Sequence, residues 1–151
     1  MRVTILGATG FIGRPLGAAL RARGDVVIEA SLRDPARAAA ASAGSDVVVN
    51  LAGAPVAVRW TEAAKRAMWT SRVDLPRAYL EALAHVDQRP KAYVSAAGIG
   101  YYGTSLTETF VETSPPGRDY LADLSVAWEA EADRAAALTP WITRGSAMMS
   151  S

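Results

Sequence analysis

Three glycines at regular spacing near the N-terminus are the strongest indication of chemistry in the chain. Gly7, Gly10 and Gly13 follow the apolar run Arg2–Leu6 and precede apolar residues at helical spacing. Glycine at these positions permits a tight turn, a close approach of the backbone to a phosphate and close packing of the new helix. The free N–H groups and positive dipole end of that helix stabilise an anion without a basic side chain. The stretch therefore predicts a pyrophosphate site whose cofactor-binding residues are Gly7, Thr9, Gly10, Phe11, Ile12 and Gly13.

A basic residue after the second predicted strand indicates which dinucleotide would bind. Ser31 and Arg33 stand where NAD sites carry an acidic residue that accepts a hydrogen bond from the ribose 2′-OH. No Asp or Glu is present there, because Glu29 lies within the strand. The Arg33 guanidinium is suited to a 2′-phosphate, so we expect NADP rather than NAD. The alternative is that Arg33 only solvates the turn before Asp34.

Short segments rich in Val and Ile alternate with Ala-rich helical segments along the chain. The predicted strands are Arg2–Leu6, Asp25–Ala30, Asp46–Leu51, Lys91–Ala96 and a weaker one near Trp141–Arg144. Beyond the helix after the glycines, the predicted helices are Asp34–Ala43, Thr61–Met68, Ala78–Ala84 and Leu121–Leu138, with Pro76 either opening or kinking the third of these. This alternation predicts an α/β fold with a doubly wound parallel sheet covered on both faces.

Composition excludes several classes of function. The chain has 151 residues, enough for one domain, and a formal charge of +1, which indicates neither disorder nor a basic nucleic-acid surface. Without cysteine it has no disulfide and no thiol nucleophile, and His85 as the single histidine makes a metal site unexpected. No run approaches the ~20 apolar residues of a membrane span, and glycines interrupt the N-terminal stretch that resembles a signal peptide. We expect a cytoplasmic protein that acts on a small molecule, without nucleic-acid or membrane partners.

Further motifs occur in a fixed order through the middle of the chain. They are Asn50–Pro55, Arg59–Thr61, Ser71-Arg72, Ser95–Gly103, Pro115–Gly117 and Trp128-Glu129. With the G-x-x-G-x-x-G spacing of the first turn, the chain resembles the sugar-nucleotide-epimerase-like subfamily of the extended and atypical short-chain dehydrogenases, the NAD-dependent epimerase/dehydratase group. The resemblance covers only the N-terminal, cofactor-binding part of such proteins. It implies a Rossmann-like, NAD(P)-binding domain over residues 1–145, a frayed tail over residues 146–151 and no substrate domain.

One departure from the family pattern lies between Arg33 and Asp46. The family would insert a strand and a helix there, whereas this chain has only about a dozen residues, roughly the minimum for a parallel crossover. We therefore expect five strands in the order 2-1-4-5-6 by the family's strand labels, with the usual third strand missing. The loop after that strand normally helps to hold the adenine, so cofactor affinity should be reduced.

The resemblance also implies catalytic residues. In the superfamily a serine positions the substrate oxygen, a tyrosine transfers its proton, and a lysine four residues later lowers the tyrosine pKa. Ser95 matches the serine and Tyr120 the tyrosine, but Leu124 stands in place of the lysine. Without that charge the Tyr120 phenol should be a poor base at neutral pH. Tyr102, beside Tyr101, is an alternative proton donor, although aromatic residues next to glycines more often cover a loop.

The resemblance further implies that the backbone of Asn50, Ala52 and Gly53 passes along the ribose and phosphates on the adenine side. Otherwise these residues form a strand-ending turn. The four tryptophans are predicted to pack against other residues, and exposed sheet edges indicate a possible homodimer.

Three functions remain open from the sequence. The first is an NADP-dependent oxidoreductase or epimerase-like enzyme that acts on a small carbonyl or sugar-nucleotide substrate through Ser95 and either Tyr120 or Tyr102. The second is a binding protein that holds the dinucleotide without robust turnover. The third is a truncated, inactive family member that binds nothing tightly.

Overall fold

The sheet contains five parallel strands in the order β2-β1-β3-β4-β5. A computed structural model describes residues 1–146 of the chain. The strands are β1 (Arg2–Leu6), β2 (Val26–Ala30), β3 (Val47–Asn50), β4 (Ala92–Ala97) and β5 (Trp141–Ser146). The predicted α/β fold and the omission of the family's third strand are confirmed. Most of the predicted C-terminal tail, residues 147–151, lies outside the described residues.

Helices pack on both faces of the sheet, as in a doubly wound fold, although one face is covered only in part. They are α1 (Gly13–Ala22), α2 (Pro35–Ala41), α3 (Glu62–Trp69), α4 (Leu75–Leu83) and α5 (Tyr120–Asp133). On one face, Leu16 and Leu20 of α1 pack on Val3 and Ile5 of β1. On the other face, α2, α4 and α5 enclose a core that includes Leu6, Val48 and Tyr93. Alternate residues of β1 therefore face two separate cores.

The short crossover from β2 to β3 is made by a single helix of two turns. The Asp34 carboxylate caps α2 by accepting a hydrogen bond from the Arg37 N–H at 3.0 Å, and Pro35 supplies the first turn. Ala38 and Ala39 are buried against the core, and Tyr79 of α4 donates a hydrogen bond to the Ser42 hydroxyl at 2.9 Å. About a dozen residues are thus sufficient to link β2 to β3.

Pro76 marks an irregular turn rather than a simple helix start. Helix α3 runs through a π-helical turn, Thr70–Asp74, directly into α4, which begins three residues earlier than the predicted Ala78. Pro76 has no N–H with which to continue the helical hydrogen bonds. Just before it, the Leu75 N–H donates to the Thr70 carbonyl, five residues earlier, which is the spacing of a π-helical turn. The proline therefore lies within a continuous helical segment whose turn is widened just before it.

One half of the sheet has an uncovered face. Ala92 and Val94 of β4 lie on the α1 side of the sheet and are half-buried, and their neighbour Trp141 on β5 is 73% exposed. The prediction that all four tryptophans pack is therefore wrong for Trp141, because no described helix reaches this part of the sheet. Trp128 on α5 is buried, as predicted.

Candidate functional site

A cavity of about 660 Å³ lies across the carboxyl ends of β2, β1 and β3. Its walls come from the glycine turn after β1, the loop after β2, the loop after β3 and the helical turn near Ser71. Seven of the predicted cofactor-binding residues line it: Gly7, Thr9, Gly10, Ser31, Arg33, Ala52 and Gly53. In doubly wound folds ligands bind at this edge of the sheet, so the cavity is the candidate site for a dinucleotide.

A Cβ atom would meet different surroundings at each of the three glycines of the turn. Gly7 has a φ of +86°, which disfavours a side chain, and a Cβ there would lie 2.9 Å from the Ala52 nitrogen. A Cβ on Gly13 would lie 2.4 Å from the Gly7 carbonyl oxygen, so the helix can begin this close to the turn only with glycine. On Gly10 the contact with that oxygen would be 3.3 Å. The protein itself therefore restricts Gly10 least, and Gly10 faces the cavity.

The N-terminus of α1 is arranged to receive an anion. Its N-cap residue, Ile12, makes no side-chain capping hydrogen bond, and its first turn contains no acidic residue. Phe11 is 90% exposed, and neither Phe11 nor Ile12 is among the residues that line the cavity. The predicted contribution of these two residues is therefore limited to their backbone N–H groups, which accords with a helix N-terminus that binds phosphate.

At the end of the cavity next to β2, an arginine has no ion-pair partner within residues 1–146, and a carboxylate is ion-paired with another arginine. Ser31 and Arg33 are exposed at the end of β2, where the Ser31 hydroxyl accepts a hydrogen bond from the Arg33 N–H at 3.3 Å. Glu29 also lines the cavity, but its carboxylate is paired with Arg21 of α1. The one acidic side chain of this wall is thus already paired, whereas no ion pair of Arg33 occurs within residues 1–146.

Asn50 contributes to the site indirectly, because its side chain is hydrogen-bonded to Ala52 of the cavity wall. It is 1% exposed and does not line the cavity. Its side-chain amide donates to the Tyr93 hydroxyl at 3.0 Å, and its carbonyl oxygen accepts from the Ala52 N–H at 3.1 Å. The structure therefore gives Asn50 a role in fixing the backbone of Ala52 and Gly53, which do line the cavity.

The two main catalytic candidates are both hydrogen-bonded within the protein. Ser95 is 1% exposed, and its hydroxyl donates to the Ala96 carbonyl at 3.0 Å. The Tyr120 hydroxyl donates to the Lys65 carbonyl at 2.6 Å and so joins α5 to α3. Leu124, in the place of the family lysine, is buried against Met68 and Val73. These contacts are those of packed, structural side chains.

The charges near Tyr120 do not lower its pKa as the family lysine would. Burial raises the pKa of the Tyr120 phenol above its usual range, and the nearby charges of Lys65 and Arg72 offset only part of this effect. The Lys65 ammonium lies 5.6 Å from the centre of the Tyr120 ring. The phenol therefore remains protonated at neutral pH.

Tyr102 has fewer protein contacts through its hydroxyl. Its ring stacks on Phe110 with centroids 5.5 Å apart and meets Tyr101 edge to face at 5.1 Å. No hydrogen bond of its hydroxyl occurs within the described residues. Of the two tyrosine candidates, Tyr102 is thus the one whose hydroxyl has no hydrogen bond among the described residues, and neither tyrosine lines the cavity.

Sequence reasoning assigned no role to Arg72. Its guanidinium donates to the Ala54 carbonyl at 2.9 Å and lies 5.1 Å from the Trp128 ring centre. Next to it, the Ser71 hydroxyl lines the cavity and accepts a hydrogen bond from the Ala54 N–H at 2.9 Å. The Ser71-Arg72 pair was visible as a motif, but the contacts depend on segments far apart in the sequence.

The chain matches the model of the NAD dependent epimerase/dehydratase family over residues 3–147. The chain belongs to this family. Human epimerase family protein SDR39U1 is 36% identical over an alignment of 143 residues that covers 87% of this chain and 49% of the human protein. A chloroplastic SDR39U1 homologue from Arabidopsis thaliana is also 36% identical, over 89% of this chain and 45% of its own length.

A solved structure supports the same relationship. The crystal structure of human SDR39U1 (isoform 2) with NADPH superposes with a TM-score of 0.74 at 34% identity and covers 87% of this chain and 48% of the human chain. The nucleoside-diphosphate sugar epimerase from Corynebacterium glutamicum gives a TM-score of 0.73 at 30% identity over 91% of this chain and 31% of its own. This epimerase-family chain thus spans about half or less of the length of these relatives.

Among the helices of residues 1–146, none is long and apolar enough to cross a membrane. The same residues contain no cluster of three or more His, Asp or Glu side chains placed to hold a metal ion.

Proposed function

We propose that this epimerase-family domain binds NADP(H) in the cavity at the carboxyl edge of its sheet. The pyrophosphate would lie over Gly10 at the uncapped N-terminus of α1, and the 2′-phosphate beside Arg33. The observation that carries this proposal is that Gly10 lines the cavity and that a Cβ there would meet the protein less closely than one on Gly7 or Gly13, with one contact of 3.3 Å to the Gly7 carbonyl oxygen. The bound cofactor would supply hydride transfer. The NADPH in the human relative's structure supports the same choice.

The preference for NADP over NAD rests on Arg33. An arginine can hold a phosphate with two parallel hydrogen bonds, and the one acidic side chain that lines the cavity, Glu29, is paired with Arg21. In NAD sites a carboxylate at this position commonly accepts a hydrogen bond from the ribose 2′-OH. The cavity therefore favours the phosphorylated dinucleotide.

Calorimetric titration of the chain with NADPH and NADH tests the proposal. We expect micromolar NADPH binding and weaker NADH binding, with Arg33→Ala lowering NADPH affinity by about tenfold and leaving NADH unchanged. Arg37→Ala is the matched control, because Arg37 lies on α2 and does not line the cavity. Absence of binding at millimolar NADPH would favour the third alternative, a chain that binds nothing tightly.

We further propose that the chain alone turns over a substrate poorly, as a dinucleotide-binding protein rather than a robust enzyme. The Tyr120 hydroxyl is held by the Lys65 carbonyl, and Leu124 supplies no charge. If a small carbonyl or sugar-nucleotide substrate reacts, the Ser95 hydroxyl would have to give up its hydrogen bond to the Ala96 carbonyl to orient the substrate oxygen, and Tyr102 would be the better proton donor. NADPH oxidation measured with a panel of carbonyl compounds should be near background, and a rate that persists in Tyr102→Phe but is lost in Tyr120→Phe would contradict this assignment.

The uncovered half of the sheet supports self-association. Trp141 is exposed beside the half-buried Ala92 and Val94 at the β5 edge of the sheet, and an apolar surface at a sheet edge can pair with a second copy of the chain. We therefore propose a homodimer. The sequence contains no cysteine, which is compatible with a reducing compartment, and we propose that the protein is cytoplasmic. Sedimentation equilibrium should give twice the chain mass. Trp141→Lys should shift the chain to monomer, whereas a monomeric wild type would refute the dimer.

A further inference from the structure

A half-buried cation without an acidic partner contacts Gly53 and Ala54, which line the β3 side of the cavity, although the cation itself does not line it. Arg72 packs its guanidinium against the Trp128 ring, and one Nη1 N–H is taken by the Ala54 carbonyl. Within residues 1–146 no carboxylate pairs with it, and burial lowers its pKa while only Tyr120 acts in the opposite direction. An arginine nevertheless remains charged, so the positive charge here is uncompensated.

Hydrogen-bond donors outnumber acceptors at this position. A guanidinium has five N–H donors, and within residues 1–146 its hydrogen bonds to protein oxygens are those to the Ala54 carbonyl and, at 3.5 Å, to the Ser71 hydroxyl. The indole N–H of Trp128 is buried and has no partner among the described residues. Unpaired donors beside an uncompensated charge are unfavourable unless an acceptor, best an anion, satisfies them.

The backbone is shaped to hold Arg72 in this position. The residue belongs to the π-helical turn before Pro76, an irregularity that occurs frequently at functional sites. A Cβ on Gly53 would lie 2.8 Å from the Arg72 Nη2, so glycine allows the guanidinium to approach the loop that lines the cavity. The side chain is thus fixed by the π turn, the loop and the Trp128 ring together.

The strand order separates Arg72 from the adenosine end of the site. Arg33 follows β2, the glycine turn follows β1, and the loop that contacts Arg72 follows β3, beside Ser95 on β4. With the cofactor phosphates at the first two positions, Arg72 lies toward the end where a substrate would meet the cofactor. We propose that Arg72 is a substrate-binding residue that holds an oxyanion group, a phosphate or a carboxylate. This inference rests on the proposed binding of NADP(H).

Nuclear magnetic resonance of the ¹⁵N-labelled chain tests the inference separately from cofactor binding. Inorganic phosphate, malonate and NADPH are added in separate titrations. Three signals are followed in each: the Arg72 Nε–H, the Trp128 indole N–H and the Gly10 amide. The Gly10 amide reports occupation of the glycine turn, whereas the other two report the Arg72 site. The variants are Arg72→Met, Arg72→Lys and the control Arg66→Met, an exposed arginine of α3.

We expect saturable shifts of the Arg72 and Trp128 signals with at least one anion, and the responding anion identifies the source of the oxyanion. Arg72→Met should weaken the Trp128 response by at least about tenfold, Arg72→Lys should retain part of it, and Arg66→Met should retain all of it. If Arg72→Met does not fold, the wild-type Arg72 signal and Arg72→Lys decide the question. A response confined to Gly10, or a Trp128 shift unchanged in Arg72→Met, overturns the inference. NADPH that fails to shift Gly10 refutes the proposed cofactor site instead.

Discussion

At the scale of single residues, the candidate cofactor-binding residues and the candidate catalytic residues have different surroundings. The glycine turn and Arg33 occupy positions suited to a dinucleotide, whereas Ser95 and Tyr120 make hydrogen bonds inside the protein. The turn was predictable because its geometry depends on residues close in sequence. The bond from Tyr120 to Lys65, 55 positions away, depends on how α5 packs on α3, which no local pattern records.

The glycines of the turn should respond differently to the same substitution. Gly13→Ala forces a Cβ against the Gly7 carbonyl and should lower the free energy of unfolding by about 1–3 kcal/mol, measured by urea denaturation. Gly10→Ala should cost less than about 1 kcal/mol but weaken NADPH binding by at least about tenfold, because its methyl group would stand where the pyrophosphate approaches. Equal losses of stability in the two variants would show that Gly10 has only a structural role.

At the scale of elements, two irregular connections shape the site. The short helix α2 replaces the strand and helix of the family pattern, and the π turn before Pro76 presents Arg72 to the loop after β3. The length of the first connection followed from counting residues, and the strand order followed from comparing that count with the pattern of the family that the chain resembles. The π turn did not follow, because a proline in a helical segment is compatible with a helix start, a kink or a widened turn, and packing selects among them.

Helix α2 should depend strongly on its cap, because it has only seven residues. Asp34→Ala removes the acceptor for the Arg37 N–H and should lower the free energy of unfolding by about 1 kcal/mol in urea denaturation. Asp34→Asn retains a side-chain oxygen and should lose little. Identical stabilities of the wild type and Asp34→Ala would mean that packing of Ala38 and Ala39 alone holds the helix.

At the scale of the whole molecule, one polar network joins the α2–α4 core to the site. Tyr79 stacks on Tyr93 with centroids 6.4 Å apart, and Tyr93 accepts a hydrogen bond from Asn50, which fixes Ala52 at the cavity. Burial raises the pKa of Tyr79 to about 12 and raises that of Tyr93 further. The sequence predicted both tyrosines only as members of a helix and a strand, since the network involves three separate segments.

This network predicts a loss of stability at alkaline pH. The Tyr79 phenol should ionise near pH 10 in the unfolded chain and near pH 12 in the folded one, so its contribution is complete below pH 10 and is lost as the pH rises through 12. Tyr79 alone should lower the free energy of unfolding by about 2–3 kcal/mol across this window. Urea denaturation at several pH values should show a shallower fall in Tyr79→Phe. An unchanged slope in that variant would contradict the assignment.

The position of the cofactor itself tests the central claim most directly. A crystal structure of the chain grown with NADPH should show the pyrophosphate over Gly10 at the N-terminus of α1 and the 2′-phosphate within hydrogen-bond distance of the Arg33 guanidinium. Density for the cofactor elsewhere on the protein, or an empty cavity at millimolar NADPH, would contradict the proposal that this domain is an NADP(H)-binding member of its family.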